Sequence, residues 1–167
     1  MFKPIETRYK GYRFRSRLEA RWAVFFDSLG IAWEYEKEGF DLAGHWYLPD
    51  FWLPQVQMWA EVKGESLTGY ESALCYKLAD DTGHEVLILV GPPEYRAYPF
   101  IIGSFEDDGH TECDCYLTRD YLDERRFYSC VGVDETEQRQ QLENDDTYVK
   151  AVNVARSARF EHGESGA

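Results

Sequence analysis

Asp50 ends the run Tyr47-Leu48-Pro49-Asp50, and Glu61 and Lys63 stand in Trp59-Ala60-Glu61-Val62-Lys63. If Pro54-Gln55-Val56-Gln57 forms a four-residue turn, antiparallel pairing puts Leu53 opposite Met58, Trp52 opposite Trp59, Phe51 opposite Ala60 and Asp50 opposite Glu61. Directly opposed Cβ atoms lie about 4.5–5.5 Å apart. Two carboxylates so placed repel each other, and a hard divalent cation with oxygen ligands at about 2.0–2.1 Å is the simplest remedy. Glu61 and Lys63 are two residues apart on one strand, so they share a face. That sets an ammonium beside the metal, with Trp52 and Trp59 on the same face. A slip of one residue would turn Asp50 to the other side. An ordinary exposed Glu–Lys pair on a surface hairpin is the competing explanation. The apolar neighbours Leu48, Phe51, Trp52, Leu53, Trp59 and Val62 weigh against it. The chemistry this trio fits is metal-assisted phosphodiester hydrolysis.

The trio needs a sheet to hold it and helices to cover that sheet. Ser16-Arg17-Leu18-Glu19 has the form of a helix start, and Leu18, Trp22, Phe25, Phe26 and Leu29 follow at helical spacing before Gly30. The spacing predicts a first helix over 16–29. Strands are expected at 31–35, 47–53, 58–63, 85–90 and 100–103, with Phe40-Asp41-Leu42 extending or pairing with the first. Leu67, Tyr70, Leu74 and Leu78 predict a helix over 67–81, closed by Gly83. Lying between strands 58–63 and 85–90, it fits a right-handed parallel crossover. Residues 2–14 read as irregular, and 104–133 as an acidic, cysteine-containing insertion or loop. Residues 134–167 read as a polar helix, weakest near Asn144-Asp145-Asp146, with a frayed tail. The class is α/β or α+β with a mixed central sheet, divided as a core over 1–103, the acidic segment and the C-terminal helix, all within one domain.

The length of 167 residues suits that single domain. The net charge of −13 argues against general coating of nucleic acid. The acid excess lies beyond Lys63, because residues 1–63 hold equal numbers of basic and acidic side chains. Arg8, Lys10, Arg13, Arg15, Arg17 and Arg21 form a basic cluster there. It is either a local docking strip for nucleic acid or a solvated face. No run is apolar enough for a membrane span, and no signal peptide is recognisable, so no membrane partner and a cytoplasmic location are expected. In that compartment the cysteines are thiols or ligands. His110, Cys113, Cys115 and Cys130 have the residue types of a structural zinc site, although Cys-x-Cys spacing is poor for one; reduced cysteines are the alternative.

At the residues described above the chain resembles the PD-(D/E)XK nuclease superfamily. Pro49-Asp50 and Glu61-Val62-Lys63 match its signature, and Tyr9-Lys10-Gly11-Tyr12-Arg13-Phe14-Arg15-Ser16-Arg17-Leu18-Glu19 looks like the opening of small phage- and prophage-encoded members. The resemblance covers about residues 8–91. It implies a restriction-endonuclease-like core, with a four-stranded mixed sheet flanked by helices. It also implies a Mg²⁺- or Mn²⁺-dependent deoxyribonuclease that leaves a 5′-phosphate; branched or otherwise structured DNA is one candidate substrate. Asp50 and Glu61 would bind the ion with the Val62 carbonyl, Lys63 would position or deprotonate water, and Glu19 would complete the acidic cluster, directly or through water. Glu19 also stands where it can close a capping box with Ser16 or pair with Arg15 or Arg21. Arg15, Arg17 and Lys77 are candidate DNA contacts, with solubility as their alternative role. DNA is the implied partner, and a homodimer or a host or phage protein could supply further grip. The alternative function is a phage factor on a nuclease fold that binds protein or DNA, as an inhibitor or DNA mimic, without cleaving.

Overall fold

The architecture comes from a computed structural model, which describes residues 4–94, 100–105, 109–116, 128–129 and 145–160. Strands β1 (Thr7–Tyr9) and β2 (Tyr12–Phe14) form a hairpin. Its two turn residues, Lys10 and Gly11, both have positive φ, 47° and 82°. That is the twist a two-residue hairpin turn requires, and Lys at the first position disguises it. The segment expected to be irregular is therefore an ordered ribbon.

Helix α1 runs Arg17–Leu29, with Ser16 as N-cap and Gly30 closing it at φ 73°. Its buried stripe holds Trp22, Phe25, Phe26 and Leu29, as the spacing predicts. Strands β3 (Glu34–Tyr35), β4 (Phe40–Leu42), β5 (His45–Tyr47), β6 (Phe51–Leu53) and β7 (Met58–Lys63) follow. Helix α2 (Gly69–Thr82) then leads to β8 (Val86–Val90), β9 (Phe100–Phe105), β10 (Gly109–Tyr116), β11 (Tyr128–Ser129) and helix α3 (Asp146–Ser157).

Three of the four expected pairs form, Leu53 opposite Met58, Trp52 opposite Trp59 and Phe51 opposite Ala60, but the ladder stops there: Asp50 precedes β6 and is not paired with Glu61. The strand expected over 47–53 is instead two strands. Pro49 cannot donate to a ladder, and the chain breaks there. β5 pairs with β4 in a separate two-stranded sheet, while β6 enters the main one. The main sheet has seven strands rather than four, in the order β11-β10-β9-β8-β7-β6-β3. Among the described strands only β7 and β8 pair in parallel, and α2 is their crossover. Within the acidic stretch, residues 104–105 end β9 and Gly109–Tyr116 form β10, so this part is strand rather than loop.

The period-two alternation of β6, β7 and β8 divides the core in two. Phe51, Leu53, Ala60, Val62, Leu87 and Leu89 pack under α1 and α3. Trp52, Trp59, Val86 and Ile88 pack against Cys75, Leu78 and Ala79 of α2. The C-terminal helix joins the first core through Tyr148, Ala151, Val152 and Ala155. This is a mixed α+β architecture with three helices among the described residues. None of them is long and apolar enough to cross a membrane.

Candidate metal and phosphate site

Strand β7 ends at Lys63, β6 begins just after Asp50, and α1 begins just after Ser16. The three ends meet, and a cleft of about 580 Å³ opens there. Arg15, Arg17, Glu19, Asp50, Glu61 and Lys63 all line it. Sequence periodicity placed Glu61 and Lys63 on one strand face, and the tertiary fold brings Glu19 to the same cleft from the other helix layer.

The three acids are deeply buried: Asp50 is 3 % exposed, Glu61 6 % and Glu19 7 %. Asp50 Oδ2 accepts the Val62 backbone N–H at 2.8 Å, and Oδ1 accepts Arg15 Nη2 at 2.6 Å. Glu61 Oε1 pairs with Lys63 Nζ at 3.0 Å, while Glu61 Oε2 is buried and meets no donor at full hydrogen-bond geometry, although the Tyr47 hydroxyl lies close enough to the carboxylate to favour its charge. Burial pushes the Asp50 carboxyl well above the usual range, and the charges of Glu61 and Glu19 add to the shift. Burial also raises Glu61, against the opposing ammonium of Lys63. Lys63 loses from burial, yet Glu61 and Glu71 more than compensate and its pKa is raised. A raised value keeps it an ammonium at neutral pH.

Glu19 closes the cap with Ser16 and also lines the cleft. Its backbone N–H donates to Ser16 Oγ at 3.1 Å, and Ser16 Oγ donates back to its Oε1 at 2.8 Å. Its Oε2 accepts from the Tyr35 hydroxyl at 2.6 Å and from the Arg15 backbone N–H at 3.2 Å. The cap thus fixes a carboxylate at the rim of the cleft.

Three of the six residues of the basic cluster are neutralised by acidic partners. Lys10 pairs with Asp27, Arg13 with Glu6, and Arg15 with Glu36 and Asp50. Arg21 donates to the carbonyls of Ala155, Arg156 and Ala158, so it caps the end of α3 instead of facing a ligand. Arg17 has no acidic partner among the described residues, and its Nε is buried without one. Lys77 pairs with Asp81 at 3.0 Å and does not line the cleft.

Four contributors escaped the sequence reading. Glu71 holds Lys63 at 3.3 Å and closes a capping box with Thr68, and the pattern Thr68-Gly69-Tyr70-Glu71 was available to signal it. Tyr35, Glu36 and Tyr47 carry no local signal. Tyr47 lies beside Glu61, and its hydroxyl is raised by burial first and by Glu61 second. Cys75 of α2 is buried, and burial pushes its thiol up to about 12. His110, Cys113 and Cys115 lie on the backbone of β10, but their side chains are outside what the structure describes, as is Cys130.

The side chains as they stand do not gather three His, Cys, Asp or Glu groups around one ion position among the described residues. Arg15 and Lys63 lie against the carboxylates instead. The donor chemistry nonetheless fits a hard divalent ion. The carboxylates supply oxygen donors, Glu61 Oε2 lacks a partner, and burial disfavours the charges that a cation would offset. No protein-family model, curated protein or solved structure matches the chain.

Proposed function

We propose that this protein is a divalent-metal-dependent nuclease that hydrolyses DNA phosphodiester bonds and leaves a 5′-phosphate, as its resemblance to PD-(D/E)XK nucleases implies. One observation carries the reading. Two buried, mutually repelling carboxylates, one with an orphaned oxygen, lie beside an ammonium in an open cleft. Such an arrangement costs stability, and a charge-bearing ligand recovers it.

Asp50 and Glu61 would hold Mg²⁺ or Mn²⁺ with the backbone carbonyl of Val62, and Glu19 would act directly or through water. The ion supplies Lewis-acid activation of water and offsets charge on the phosphate. Lys63, held as an ammonium by Glu61 and Glu71, donates to a non-bridging phosphate oxygen and orients the attacking water. Arg17, which has no acidic partner among the described residues, would contact a phosphate of the DNA strand. The net charge of −13 limits non-specific binding, so selectivity for branched or structured DNA, a second copy or a protein partner would add to the grip. The His110/Cys113/Cys115/Cys130 zinc site stays a separate proposal for the acidic segment.

The second reading is a binding factor on this fold that does not cleave. The acidic charge and the internally paired Asp50 and Glu61 favour it. Incubation with Mg²⁺ or Mn²⁺ and single-stranded, duplex, nicked and branched DNA separates the two. The nuclease reading expects 5′-phosphorylated products from at least one substrate and a loss of about 10²–10³-fold or more in Glu61→Ala. Equal cleavage by the variant, or none with any ion, contradicts it.

A further inference from the structure

We infer that Arg15 is a tethered stand-in for the divalent ion, neutralising Asp50 in the ion-free protein and giving up Asp50 Oδ1, while staying held at Glu36, when an ion binds. The inference rests on the reading of Asp50 and Glu61 as ion ligands. Asp50 Oδ2 is fixed by the Val62 amide of β7 at 2.8 Å, so Oδ1 is the adjustable oxygen, and Arg15 Nη2 lies on it at 2.6 Å. A guanidinium at that oxygen opposes the arrival of a second positive charge.

Arg15 does not depend on Asp50 for its position. Its backbone N–H donates to Glu19 Oε2 and to the Tyr35 hydroxyl, at 3.2 and 3.0 Å. Its Nε pairs with Glu36 Oε1 at 2.7 Å. Glu36 is anchored in turn, because its backbone N–H donates to the Asp50 carbonyl at 2.9 Å. The Arg15 side chain is 55 % exposed, so its Nη groups can leave Asp50 without unpacking the core.

Lys63 repeats the pattern. It bridges the buried Glu61 and the outer Glu71 as Arg15 bridges the buried Asp50 and the outer Glu36. Neither outer acid lines the cleft. Each cation thus has a second anchor outside the cleft. Once off Asp50, the Arg15 guanidinium lacks one of its two anions, and the phosphodiester of an arriving strand replaces it. Ion and nucleic acid then tighten each other's binding, and that coupling is reciprocal.

Calorimetric titration of Mn²⁺ into the whole chain tests this without relying on cleavage. Arg15→Gln is expected to bind Mn²⁺ about tenfold more tightly than wild type, and to melt at a lower temperature in chelator. Arg17→Gln removes a positive charge from the same cleft without freeing a carboxylate, and is expected to change the affinity by less than about twofold. Arg15→Lys keeps a charge for folding but cannot span both Glu36 and Asp50. It is expected to tighten Mn²⁺ by a smaller factor, and it decides the matter if Arg15→Gln does not fold. Equal or weaker Mn²⁺ binding in the Arg15 variants overturns the inference while leaving the nuclease reading intact, as does equal tightening in Arg17→Gln. No Mn²⁺ binding by wild type or variants overturns both.

Discussion

The two ends of the β6–β7 hairpin are built from opposite materials. At the turn end Leu53 faces Met58, and the rings of Trp52 and Trp59 meet with centroids 4.5 Å apart, all of them buried. At the open end, two to four residues beyond the tryptophans, Asp50 and Glu61 are buried almost as deeply, with the half-buried Lys63 beside them. The apolar end obeys every rule of strand pairing, and the charged end breaks them. Carboxylates buried close together cost stability, and such local violations concentrate at functional positions. The difference assigns labour: the aromatic end sets the register, and the charged end spends that rigidity on holding carboxylates where they repel.

That division can be broken most forcefully at the aromatic end. Trp59→Ala is expected to lose about 3–5 kcal/mol in urea denaturation, because the indole fills the core between the hairpin and α2 and donates to Thr82 Oγ1. A loss below about 1 kcal/mol would show that the register does not depend on this end. Glu61→Gln at the charged end should move stability the other way. Its carboxyl is raised by burial, so in the ion-free protein at neutral pH the amide is expected to stabilise, read as a higher urea midpoint. An ion that stabilises wild type should do little for the variant.

The same shifts fix the sign of the pH dependence. The folded protein holds protons on Asp50 and Glu61 more tightly than the unfolded chain. Their contribution to stability is therefore full below about pH 4 and declines as pH rises through the raised folded values. Denaturation of ion-free protein across pH 4–8 should show this decline in wild type and a shallower one in Glu61→Gln, and a rise with pH assignable to these two groups would contradict it. The smallest expected effect lies at the rim. Tyr35→Phe removes the 2.6 Å bond to Glu19 and is expected to destabilise by about 1 kcal/mol, with the register untouched.

The parts legible in the sequence are those governed by short periods. The turn at 54–57 and the alternation of β6 and β7 set the facing pairs Leu53–Met58, Trp52–Trp59 and Phe51–Ala60, and Ser16 and Gly30 bounded α1. What escaped depends on chain distance or on backbone conformation. A lysine at φ 47° disguised the β1–β2 turn, and Pro49 divided what the apolar pattern joined. The arginines looked like one surface strip because their partners are remote. Asp50 lies 35 residues from Arg15, and the α3 carbonyls lie 134–137 residues from Arg21. Charge patterning along a chain does not reveal which charges the fold will pair.

The central claim is that the charged end of the hairpin hydrolyses phosphodiesters while the aromatic end only supports it. Mn²⁺-dependent DNA cleavage by wild type and Lys63→Ala, with their melting temperatures measured side by side, tests it most directly. The account predicts cleavage by wild type and a fall of about 10²–10³-fold or more in Lys63→Ala, with a melting temperature within a few degrees of wild type. Undiminished cleavage by a well-folded Lys63→Ala protein would contradict it.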